Sequence, residues 1–132
     1  MSKIVLVTGG NRGIGKEICR QIAERGNTVI LTSRNVVAGK SAVEDLNNKK
    51  NVYHRLDVGE PESIDNIFKY IEAEFGRLDV LVNNAGIFLD DDKSILNVGK
   101  EIIAETFDVN FYGPLLLTQK FIPLLKKSND AR

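Results

Sequence analysis

Short apolar runs alternate with apolar stripes at helical spacing along the whole chain. Ile4-Val5-Leu6-Val7 is a continuous β-branched and aliphatic run that ends at Thr8-Gly9-Gly10. Apolarity without polar alternation predicts a strand buried on both faces. From Ile14 to Arg25 the residues Ile14, Ile18, Cys19 and Ile22 recur at helical spacing, and Gly26 is placed to stop that helix. Thr28 to Thr32 reads as a second buried strand, and Val37 to Asn48 as a helix that exits through Asn47-Asn48-Lys49-Lys50. Val52 to Leu56 is a third strand, ending at Asp57. Pro61 suits a first helical position, and Ile64, Ile67, Phe68, Ile71 and Phe75 form an apolar stripe behind it, closed by Gly76. Leu78 to Val82 is a fourth strand, followed by Asn83-Asn84-Ala85-Gly86. An irregular acidic stretch, Leu89 to Lys93, then leads to a long helical region from Val98 to Lys127.

The order β-α-β-α-β-α-β-α predicts an α/β fold: a parallel sheet flanked by helices with right-handed crossovers. In a Rossmann-type arrangement the four strands lie in the order 3-2-1-4. The 132 residues suffice for one domain, residues 1–132, and 42% hydrophobic with 27% charged residues is ordinary for a globular chain. Lys plus Arg and Asp plus Glu stand at 18 each, so no global field draws in nucleic acid or an anionic membrane. Any anion site is therefore local. Cys19, the only cysteine, cannot form an internal disulfide, which fits a reducing compartment. The apolar run after Met1-Ser2-Lys3 is too short for a signal peptide or a membrane span, and a cytoplasmic protein is expected. No metal site is expected.

Thr8-Gly9-Gly10-Asn11-Arg12-Gly13-Ile14-Gly15 sits between the first strand and the first helix. A dinucleotide fingerprint needs that context. Glycine permits positive φ in the turn, close approach of backbone to a pyrophosphate, and tight packing of helix on sheet. The helix start then offers free N–H groups and partial positive charge to phosphate. The spacing is TGxxxGxG, with Gly9, Gly13 and Gly15, and not the commoner GxGxxG. A glycine turn without a ligand is the plainer alternative.

With Asn83-Asn84-Ala85-Gly86 closing the fourth strand and Asn110 within Asp108-Val109-Asn110-Phe111-Tyr112-Gly113, three motifs stand in register. On these the chain resembles the short-chain dehydrogenase/reductase family over essentially its whole length, in its carbonyl-reductase-like form. The resemblance implies a Rossmann-type domain, hydride transfer to or from a small-molecule carbonyl or alcohol substrate, and cofactor contacts from Gly9, Asn11, Arg12, Gly13, Ile14 and Gly15. It also implies cofactor contacts from Asn83, Ala85 and Gly86. Asn84 is expected to tie adjacent strands.

The end of the second strand reads Thr32-Ser33-Arg34-Asn35, without the carboxylate that NAD-specific sites use to hold the ribose 2′-OH. Arg34 offers a planar, always-charged fork suited to phosphate. Arg12 is the second cation that the resemblance implies, and Ser33 could add a hydroxyl donor. NADP(H) is therefore the expected cofactor, although either arginine alone is equally consistent with a solvated surface. The resemblance implies that Asp57 accepts from the adenine amino group between Leu56 and Val58; a cap for the turn before Pro61 is the alternative. His54, the only histidine, is expected to be a partly exposed strand residue without a catalytic role.

Asn110 matches the family asparagine that anchors a water in a proton relay. Pro114 lies four residues on and has no N–H to donate to the Asn110 carbonyl, which leaves that carbonyl free or simply kinks the helix. The family serine and Tyr-x-x-x-Lys are not found: Tyr112 is the only tyrosine after Asn110, and residue 116 is Leu. The chain ends at Ser128-Asn129-Asp130-Ala131-Arg132, where the fifth strand is expected to begin. The expectation is thus an incomplete domain, inactive alone, whose fourth strand is a bare edge. Leu115, Leu116, Leu117, Phe121, Ile122, Leu124 and Leu125 make the last helix a candidate for self-association. A catalytically inactive stand-alone NADP(H)-binding or regulatory module, and a purely structural partner, are the competing readings.

Overall fold

The computed structural model describes residues 2–132. Four parallel strands, β1 (Ile4–Val7), β2 (Thr28–Ser33), β3 (Val52–Arg55) and β4 (Val80–Val82), lie in the order β3-β2-β1-β4. The register pairs Leu6 with Ile30 and Leu81, and Ile30 with Val52. The strands connect through α1 (Gly13–Glu24), α2 (Val36–Glu44) and α3 (Pro61–Phe75), and β4 leads on to α4 (Lys100–Phe107) and α5 (Gly113–Leu125).

Because side chains alternate across a strand, β1 and β2 feed two cores. Ile4, Leu6 and Ile30 join Ile64, Ile67 and Ile71 of α3 and Leu117, Phe121 and Leu124 of α5 on one face. Val5, Val7, Val29 and Leu31 join Cys19 and Ala23 of α1 and Ala42 of α2 on the other. Both faces of the central strands are thus buried, as their unbroken apolar runs require. Burial pushes the Cys19 thiol up to about 12.

The local signals mark most boundaries. Pro61 opens α3, and Gly76 closes it with φ 69° and an N–H that reaches Glu72 and Ile71 carbonyls. The structure shortens α2, which stops at Glu44 and not at Asn48: Asn47 takes φ 48° and turns the polar exit out of the helix. The expected continuous helix from Val98 to Lys127 is broken. Residues Asp108–Tyr112 form a π-helical turn in which Gly113 N–H donates to the Asp108 carbonyl, five residues back. Pro114 supplies the physical reason, since it withholds an N–H from the first turn of α5.

The free side of β4 is not bare. Arg132 N–H donates to the Asp79 carbonyl at 3.0 Å, and Leu81 N–H donates to the Arg132 carbonyl at 2.9 Å. This is the hydrogen-bond pattern of a single parallel bridge, so β4 is the last strand of the sheet as expected, with one residue paired along its outer side. Below the sheet, buried Asp79 accepts Ile4 N–H at 2.7 Å and the Ser128 hydroxyl at 2.6 Å, with Arg77 at 3.2 Å. Burial disfavours the charge, but these donors outweigh it and hold the carboxyl below its usual range. On α5, Leu117, Phe121 and Leu124 are buried, whereas Leu115, Leu116 and Ile122 are exposed.

Candidate cofactor site

At the carboxyl ends of the strands, where β2 and β4 diverge to opposite sides of β1, lies a cleft of about 310 Å³. Open α/β sheets bind ligands at this switch point. Its lining comes mostly from the four strand exits. Gly9, Asn11, Arg12, Gly13, Ile14 and Gly15 follow β1; Ser33 and Arg34 end β2; Leu56, Asp57 and Val58 follow β3. Asn84, Ala85, Gly86 and Ile87 follow β4, and Val109 closes the cleft from the π turn.

The glycine turn is shaped by close contacts. Gly13 has φ +56°, and a Cβ on Gly15 would stand 2.2 Å from the Gly9 carbonyl oxygen and 2.4 Å from Asn84 Nδ2. Only glycine lets the start of α1 seat directly on this turn. Arg12 occupies the position before the helix without capping it, so no side chain covers the N–H groups of the first turn. Thr8 fastens the turn to the β4 exit: its hydroxyl oxygen accepts Asn84 N–H and Ala85 N–H, each at 2.9 Å. Asn84 Nδ2 donates to the Thr8 and Gly9 carbonyls, each at 3.1 Å, which is the strand tie expected of it.

Arg12 and Arg34, like Arg25 outside the cleft, enter no ion pair among the described residues, whereas Arg20, Arg55, Arg77 and Arg132 are paired. Asp57 is the sole carboxylate lining the cleft. Its Oδ1 accepts Gly59 N–H at 2.9 Å and so serves the turn, while Oδ2 has no partner among the described residues. The turn-cap and ligand-acceptor roles are therefore compatible on one carboxylate.

The remaining expected residues sit elsewhere or point elsewhere. Asn83 lies outside the cleft lining and donates to Thr118 Oγ1 at 3.1 Å, tying β4 to α5. The Ser33 hydroxyl lines the cleft but donates inward to the Asn35 carbonyl at 2.7 Å. Asn110 is not in the lining either; its amide pairs with the backbone of Ile87. His54 is half-buried, with Nδ1 2.7 Å from the Arg55 carbonyl and its ring 4.9 Å from that of Tyr70. Asn84, Ile87 and Val109 were not expected in the cleft. Ile87 directly follows the Asn-Asn-Ala-Gly motif and Val109 precedes Asn110, so adjacency to the motifs was the available signal. Among the described residues no cluster of three or more His, Cys, Asp or Glu could hold a metal, and no helix is long and apolar enough to cross a membrane.

Comparison with known proteins agrees with this geometry. The short chain dehydrogenase family model matches residues 3–132. A (+)-neomenthol dehydrogenase from Arabidopsis thaliana is 41% identical over 152 residues, covering 98% of this chain and 51% of the relative. Carbonyl reductase [NADPH] 3 of Mus musculus is 35% identical over 95% of the chain and 46% of that protein. The solved menthone neomenthol reductase from Mentha piperita superposes with TM-score 0.90 at 32% identity, over 100% of this chain and 59% of that one. The chain spans about half the length of the curated relatives it matches. With the strand order, the glycine turn and the Asn-Asn-Ala-Gly exit all in place, the chain belongs to the short chain dehydrogenase family.

Proposed function

We propose that residues 1–132 are the NADP(H)-binding domain of an oxidoreductase that moves hydride between a nicotinamide cofactor and a small carbonyl or alcohol substrate. One observation carries the reading: two unpaired arginines, Arg12 and Arg34, line a glycine-floored cleft at the switch point, and no carboxylate stands at the end of β2. A 2′-phosphate needs cations there, and a carboxylate would repel it. The residues fit the group. The first turn of α1 is uncapped for pyrophosphate, and Gly15 lets that turn sit directly against the Gly9 carbonyl and the Asn84 side-chain amide. The mouse relative's name gives NADPH as its cofactor, in line with this reading.

When bound, the nicotinamide would give or take the hydride at its C4 position. The chain's own contribution is binding and orientation. Arg12 and Arg34 hold the 2′-phosphate, the N–H groups of the α1 start hold the pyrophosphate, and Asp57 Oδ2 accepts from the adenine amino group between Leu56 and Val58. Ala85 and Gly86, being small, let the ribose and nicotinamide lie on the backbone. Asn110 fixes the segment after Gly86 by holding Ile87.

Fluorescence titration with NADPH and then NADH tests the proposal. NADPH is expected to bind at least about tenfold tighter, or about 1.4 kcal/mol. Equal affinities would remove the basis for assigning NADP(H). A folded protein that binds neither nucleotide would favour a purely structural role.

A further inference from the structure

We propose that Tyr53, which lies outside the cleft, is a positioning residue that sets the preference of Arg34 for a 2′-phosphate; this rests on the NADP(H) reading above. Tyr53 belongs to β3, opposite Leu31 of β2. Its ring lies against Gly39 of α2, where an added Cβ would stand 2.0 Å from Tyr53 Cε2. This contact delivers the hydroxyl beneath the turn from β2 to α2. The Tyr53 hydroxyl donates to the Ser33 carbonyl at 3.1 Å, and the Ser33 hydroxyl donates to the Asn35 carbonyl at 2.7 Å. The two hydroxyls lie 3.4 Å apart.

These two carbonyls flank Arg34. One belongs to the peptide unit entering it, the other to the residue leaving it, so the two hydroxyls pin the main chain on both sides of the arginine. The second carbonyl also accepts Gly39 N–H at 3.0 Å, and Asn35 Oδ1 accepts Ala38 N–H at 2.9 Å. The turn is therefore locked to α2 as well as to β3. Arg34 itself is exposed and enters no ion pair among the described residues, so nothing else aims its side chain. A guanidinium recognises phosphate through a planar fork whose geometry must match, and fixing its backbone beforehand reduces the ordering cost of binding. A hydroxyl that does not touch the ligand thus contributes to affinity for the 2′-phosphate, while the same Ser33 carbonyl also accepts Leu56 N–H at 3.1 Å.

The test uses two probes that need only the adenine half of the site, adenosine 2′,5′-bisphosphate and adenosine 5′-monophosphate, followed by calorimetry on the purified protein. Tyr53→Phe keeps the ring on Gly39 and removes only the hydroxyl; circular dichroism checks its fold. The substitution is expected to weaken the bisphosphate about threefold to tenfold and to leave the monophosphate within about twofold. In an Arg34→Ala background, Tyr53→Phe is expected to add no further loss, because the group it positions is gone. Equal weakening of both probes, an unchanged preference in Tyr53→Phe, or a full additional loss on top of Arg34→Ala would each overturn the proposal while the cofactor reading stands. A wild-type protein that binds both probes equally would instead overturn the cofactor reading, and this inference with it.

Discussion

Asn110 grips Ile87 by both of its backbone groups: Oδ1 accepts the Ile87 N–H at 2.8 Å, and Nδ2 donates to the Ile87 carbonyl at 2.8 Å. The amide does for one residue what a neighbouring strand would do, and it joins the π turn to the exit of β4. Asn110→Asp keeps the acceptor but sets a carboxylate against the Ile87 carbonyl. The expected cost is about 1–2 kcal/mol in urea unfolding, with faster hydrogen exchange at the Ile87 amide. Unchanged exchange at Ile87 would show that the pairing does not hold the segment.

Reversing the charge at Arg34, which lines the cleft, tests the proposed cofactor preference most sharply. Arg34→Asp places a carboxylate where NAD-specific sites carry one. NADPH affinity is expected to fall by more than about tenfold and NADH affinity to rise or hold, which reverses the ratio. Arg12→Ala is expected to weaken NADPH in the same direction by less, since Arg34 remains.

Gly15 has no room for a methyl group, with the Gly9 carbonyl oxygen 2.2 Å from its ideal Cβ position. Gly15→Ala must push α1 away from the turn. A loss of about 1–3 kcal/mol in stability is expected, together with loss of the proposed nucleotide binding, because the uncapped N–H groups of the first turn move with the helix. Retained nucleotide affinity in Gly15→Ala would show that the turn is more compliant than its packing indicates.

Acid stability is expected to report on Asp79. Its carboxyl lies below the usual range in the folded protein, held there by Ser128, Ile4 N–H and Arg77 against the opposing effect of burial. A depressed folded value means that the ionised form contributes stability fully above the unfolded value of about 3.9, and that this is lost as pH falls through the folded value. Asp79→Asn is therefore expected to cost about 1–3 kcal/mol at neutral pH, with the gap to wild type closing on acidification. Denaturant titrations at neutral and acid pH measure the gap.

Cys19 should resist thiol reagents in the folded state. Its side chain is fully buried between α1 and the sheet, and its pKa is pushed up to about 12, so almost no thiolate exists at neutral pH. Labelling by a maleimide is expected to proceed only as fast as the domain opens. Rapid labelling in native buffer would mean that α1 lifts from the sheet far more readily than its packing implies.

What the sequence determined by itself was whatever depends on neighbours along the chain. Short apolar-rich runs marked the four strands, unbroken in β1, helical spacing marked α1 and α3, and Pro61 and Gly76 marked the ends of α3 because their backbone preferences act locally. The order of those elements led to the 3-2-1-4 sheet, and TGxxxGxG led to the turn that floors the cleft. The absence of a carboxylate at Arg34 was legible for the same reason.

Only the tertiary structure decided where hydrogen bonds between distant segments go. It sent the Asn83 amide to Thr118 and the Asn84 amide to Thr8 and Gly9, although the two asparagines are adjacent and chemically identical. It turned the Ser33 hydroxyl inward to Asn35, brought Tyr53 under the same turn, and laid Arg132 along β4. It also opened the last helical region at Asp108–Tyr112, where Pro114 marked a fault but Ile87 supplied the partner for Asn110. A side chain's donors and acceptors are visible in its identity, but their direction depends on which remote backbone groups the packed sheet and helices carry within about 3 Å.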